Sequence, residues 1–91
     1  MTIFRKLECL LKSSNVEYVI MTDLAGSDVL RIASGNDYIT IQPTNKGVEM
    51  FYEVPIDDWC YEIIDTRRFT SIRTAFSYLN NVTNGSLILM R

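Results

Sequence analysis

The chain has 91 residues, 47% hydrophobic and 22% charged, which is the balance of one folded domain rather than a disordered or fibrous chain. A net charge of −2 and a pI near 4.9 leave no broad positive field of the kind that drives nucleic-acid binding. With no histidine, the chain lacks the commonest general base, the commonest metal ligand and every Ser-His or Cys-His nucleophile pair.

The first segment, TIFRKLECLLKSSN, has helical spacing, with Ile3, Leu7, Leu10 and Leu11 on one side and Phe4 beside them. Arg5, Lys6, Glu8 and Lys12 fall mostly on the other side. Thr2 can cap its start, and Ser13-Ser14-Asn15 ends it. This N-terminus lacks the apolar core and cleavage site of a secretory signal. No apolar run reaches the ~18 residues of a membrane span, so a cytoplasmic protein is expected. Cys9 and Cys60 are then reduced thiols.

The composition next turns to β. Strands are predicted over 16–23, 28–34, 37–43, 48–54 and 59–65, rich in β-branched and aromatic residues and separated by turn signals. In 28–34, Leu30 and Ile32 alternate with Val29, Arg31 and Ala33. In 37–43, Ile39 and Ile41 point inward and Tyr38, Thr40 and Gln42 outward. Every connection is short. Parallel strands need crossovers of about a dozen residues, so a five-stranded antiparallel meander is predicted. A second helix follows from a Thr70 cap, with Ile72, Ala75, Phe76 and Leu79 as its apolar stripe. Residues 87–90, LILM, read as a short last strand. The fold class is α+β: one domain over 1–91, with an antiparallel sheet whose two helices cover one face.

The charge is split along the chain. Residues 47–66 hold six acids (Glu49, Glu53, Asp57, Asp58, Glu62 and Asp65) and no base. The other 71 residues carry five acids and all nine bases, a charge of +4. Asp57 and Asp58 are adjacent, so in extended chain they diverge and cannot face each other as an acid/base pair. Glu49 and Glu53 share a strand face but stand about 13 Å apart at ~3.3 Å per residue, too far for a shared proton. Cys60 lies among acids, which disfavours a thiolate, and reads as a small core residue. Gly26, Gly35, Gly47 and Gly85 sit one per turn and match no phosphate-binding loop. Arg67 and Arg68 are placed near a helix start, where they could hold phosphate, but pairing with the acids of the preceding hairpin is the preferred reading. No metal site and no cofactor are expected.

What remains is protein binding. In 48–65, large apolar residues fall on both faces of each strand, so the hairpin is either covered on both sides or exposes aromatics to a partner. Aromatic side chains supply anchors and carboxylates steer a basic partner. The candidate contact residues are Glu49, Phe51, Glu53, Asp57, Asp58, Trp59 and Glu62, with Trp59 as anchor. A row of acids aligned on one face could also imitate nucleic-acid phosphates. In size, charge and layout the chain resembles the small acidic α+β inhibitors encoded by phages and mobile elements, such as anti-defence (including anti-CRISPR) and toxin-immunity proteins. That resemblance implies a stoichiometric binder that blocks a basic, nucleic-acid-handling protein, itself binding neither nucleic acid nor membrane. The alternative is a homo-oligomeric accessory module built on an edge strand and exposed aromatics.

Overall fold

The computed structural model describes residues 2–83, and the strand expected over 87–90 lies outside the described residues. The elements run α1 (Ile3–Ser13), β1 (Val19–Thr22), β2 (Asp28–Ser34), β3 (Asp37–Pro43), β4 (Val48–Pro55), β5 (Tyr61–Phe69) and α2 (Ile72–Val82). The strands form one open antiparallel sheet in chain order, with β1 and β5 at its edges. This is the expected α+β meander.

The core follows from strand alternation and register. Leu30, Ile41 and Met50 lie side by side across β2, β3 and β4, and Ile32 pairs with Ile39 in the next row. All five are buried on one sheet face together with Val48. Onto that face α1 brings Phe4, Leu7 and Leu11, and α2 brings Ala75 and Leu79, in a single cluster. Each fully buried aliphatic side chain contributes about 1.5–3 kcal/mol of transfer free energy. The opposite face carries Arg31, Tyr38, Thr40, Glu49, Phe51 and Glu53 and lies outside this cluster.

Local chemistry sets the boundaries. Thr2 Oγ1 accepts from the Arg5 N–H at 3.2 Å and caps α1. At the other end Asn15 turns left-handed with φ 58, and the Val16 N–H donates back to the Leu11 carbonyl. Gly35 alone in the β2–β3 turn takes a positive φ, 64, as the first position of a two-residue type II′ hairpin demands. Gly47 matters for another reason. A Cβ there would collide with the Phe69 carbonyl, so the β3–β4 turn touches the end of β5 only because Gly47 has no side chain.

Several predicted boundaries are corrected. The first strand is Val19–Thr22 rather than 16–23, because Val16 and Tyr18 leave the ladder and pack against the core. The fifth strand is Tyr61–Phe69 rather than 59–65. Arg67 and Arg68 therefore belong to a strand, opposite Met50 and Glu49, and not to a helix start. Ser71, not Thr70, is the N-cap of α2, and its hydroxyl makes no capping bond. Cys60 is exposed, as is Cys9, and both are free thiols. With Pro55 closing β4 and Tyr61 opening β5, Cys60 falls in the turn rather than in a packed strand.

Candidate functional site

The acidic hairpin ends in a hydrogen-bonded tip. Asp57 Oδ1 accepts from the N–H groups of both Trp59 and Cys60 at 2.8 Å, and the Ile56 N–H donates to the Cys60 carbonyl at 2.9 Å. The N–H bonds from Trp59 and Cys60 hold the Asp57 carboxyl below its usual range. Such an Asx turn fixes the backbone from which Trp59 projects. Trp59 is 90% exposed. Ile56 in the same turn and Tyr61, Ile63 and Ile64 on β5 are exposed too, so the tip and the start of β5 present apolar side chains to solvent while Val48 and Met50 of β4 stay buried. Among the described residues, the Asp58 and Glu62 side chains make no ion pair or hydrogen bond, so their charge is uncompensated.

The other acids of the block are engaged within the fold. On the open sheet face Glu53 accepts from Arg31 Nη2 at 3.2 Å and from Thr40 Oγ1 at 2.6 Å. The Arg31 guanidinium lies 4.1 Å from the Tyr38 ring centre and 5.1 Å from that of Tyr61, and the two rings meet edge to face at 5.3 Å. Arg31 Nε is buried there and has no hydrogen-bond partner among the described residues. Glu49 accepts from Arg68 Nε at 2.8 Å and from Gln42 Nε2 at 3.3 Å. Phe51, half-buried, stands between Thr40 and Thr66 in the register.

On the helix side Asp65 accepts from Tyr78 Oη at 2.9 Å and from Arg67 Nε at 3.0 Å. The Tyr78 bond, with Arg67 behind it, keeps the Asp65 carboxyl below its ordinary range. Burial, reinforced by Asp65, pushes the Tyr78 phenol up to about 12. Arg67 and Arg68 thus pair with hairpin acids, as the sequence reading preferred.

The structure therefore divides the seven candidate residues. Asp57, Asp58 and Trp59 come together at the tip. Glu49, Phe51 and Glu53 lie on the open sheet face, where Arg31 and Arg68 neutralise the two glutamates. Glu62 is on the neighbouring strand as expected, but it pairs with Val54. A bulge between Tyr52 and Glu53 shifts the β5 alternation by one residue, so Glu62 shares the helix side while Ile63 faces the open side opposite Glu53. A row uniting Glu49, Glu53 and Glu62 on one face is not what this register builds. Sequence reasoning missed Arg31 and Tyr38: alternation in 37–43 placed Tyr38 outward, and alternation in 28–34 set Arg31 apart from Leu30 and Ile32, without naming what either would meet.

Compared with known protein families, curated proteins and solved structures, the chain matches none. Among the described residues, no three metal-ligating side chains converge and no helix is long and apolar enough to cross a membrane.

Proposed function

We propose that the chain is a non-enzymatic protein-binding protein that engages the basic surface of a partner through the tip of its β4–β5 hairpin. The single observation that carries the reading is Trp59, a large aromatic side chain 90% exposed on a turn already ordered by its own hydrogen bonds. Exposing an indole to water gains nothing for folding. Buried in a partner's pocket, a pre-ordered tryptophan contributes strongly, because little conformational freedom remains to be lost. Asp58 beside it supplies uncompensated negative charge to steer a basic surface. Seated in the basic groove of a nucleic-acid-handling protein, this tip would exclude the nucleic acid. The chain would then act as a stoichiometric inhibitor of the anti-defence or toxin-immunity kind.

The test is affinity capture from the source cell with wild type, Trp59→Ala and Asp58→Lys side by side. Both variants should fold normally and lose the partner that wild type retains, and raising the salt should weaken wild-type capture. A partner retained equally by all three proteins overturns the proposal.

A further inference from the structure

The second unassigned surface is the outer edge of β5. It is nine residues long, has no strand partner on that side among the described residues, and carries exposed Ile63 and Ile64. Edge strands normally guard themselves with scattered charge. On β5 the charges are instead sorted by sign, with the acids Glu62 and Asp65 ahead of the bases Arg67 and Arg68. Arg67 is 59% and Arg68 80% exposed, and the bonds each makes within the chain run through Nε. Among the described residues their outer nitrogens have no acceptor, which leaves them to bond a second one.

A strand with an acidic start and a basic end is complementary to itself when laid antiparallel. The bulge selects the register. Because it shifts the alternation, Tyr61 and Ile63 share the open side with Thr66 and Arg68, while Glu62 shares the helix side with Asp65 and Arg67. Residues that face each other across an antiparallel pair must point to the same side. We propose that β5 pairs with β5 of a second copy about a two-fold axis between Ile64 and Asp65, setting Glu62 opposite the second copy's Arg67. The same register sets Tyr61 opposite Arg68, a cation–ring contact, and Ile63 opposite Thr66, a β-branched pair. By symmetry each contact occurs twice. The bulge lies at the axis and leaves two equivalent stretches of ladder on either side.

The other edge does not offer this. β1 has four residues, and its flanks, Glu17 and Asp23, are both acidic, so antiparallel self-pairing there brings like charges together. The β5 pairing does not rest on the proposed function, since residues 56–60 fall outside the ladder. A dimer would carry one tip on each copy.

Sedimentation equilibrium over a range of concentrations tests the pairing. Wild type should approach twice the 10.5 kDa chain mass. Glu62→Arg and Arg67→Glu should each weaken self-association about tenfold to a hundredfold, because each replaces two attractions by two repulsions. Mixed together, the two variants should associate again as a 1:1 pair. Across that axis the two introduced side chains are of opposite sign, and the unaltered Arg67 of one variant meets the unaltered Glu62 of the other. Trp59→Ala should leave self-association unchanged, which separates this surface from the tip. A wild type that stays at the single-chain mass overturns the pairing. So does a mixture of the two variants that stays monomeric while each variant keeps the wild-type circular dichroism. Ile63→Lys, at an exposed position, provides an independent variant that should also dissociate the dimer, and undiminished association in that protein overturns the pairing as well.

Discussion

Glu53 separates a carboxylate held for folding from one held for a partner. Replacing Glu53 by alanine removes the acceptor of the Arg31 guanidinium and of the Thr40 hydroxyl. Among the described residues it also leaves Arg31, whose Nε has no partner there, without a counter-charge. Both bonds have a carboxylate as acceptor, and a hydrogen bond to a charged group contributes about 1.5–3 kcal/mol. The Arg31 and Glu53 side chains are 25% and 16% exposed, so water screens part of the loss. The expected destabilisation is about 2–3 kcal/mol, a large share of the roughly 5–10 kcal/mol typical of such a domain. At about 4–8 °C per kcal/mol, the melting temperature should fall by roughly 10–20 °C. Urea unfolding followed by circular dichroism should give a lower midpoint with an unchanged slope. A double-mutant cycle with Arg31→Met should return a coupling of at least about 0.5 kcal/mol. A Glu53→Ala protein within about 0.5 kcal/mol of wild type would refute the reasoning, since surface carboxylates away from partners behave that way.

Two further outcomes follow from the geometry. Gly47→Ala should destabilise the fold by about 1–3 kcal/mol, because the added methyl meets the Phe69 backbone rather than a yielding side chain, and thermal unfolding measures it. Asp65 is held below its unfolded value, so its contribution to stability is complete above about pH 4 and is lost as pH falls through its depressed folded value. Asp65→Asn should flatten that acid limb in urea titrations run at several pH values, and a limb of unchanged steepness would count against the Tyr78 and Arg67 contacts.

Much of the fold is legible in the sequence because strand alternation and short turns are local signals. Ile39 and Ile41 declare the inward face of β3, and Ser34-Gly35-Asn36-Asp37 declares its hairpin. The end of β5 is not local. Arg67-Arg68 reads as a break before a helix, yet Glu49, 19 residues earlier in the chain, draws Arg68 into the sheet. Thr70 and Ser71 are both reasonable caps, and only the end of the ladder at Phe69 decides between them. The same limit governs the site. Six acids in one block look like one surface, but pairing assigns Glu53 to Arg31, 22 residues away, and Asp65 to Tyr78, while the bulge turns Glu62 to the other side. Trp59 stands out in the sequence as a candidate anchor, whereas the turn that displays it depends on Asp57 folding back onto two N–H groups.

Trp59 is the chain's single tryptophan, so the proposed contact carries its own reporter. The most direct measurement is a titration of the captured partner into wild type while Trp59 fluorescence and its quenching by acrylamide are recorded. If the tip is the binding site, the emission shifts to the blue and the indole becomes protected from quencher in step with complex formation. If a complex forms while Trp59 stays as emissive and as quenchable as in the free protein, the tip is not where the partner binds.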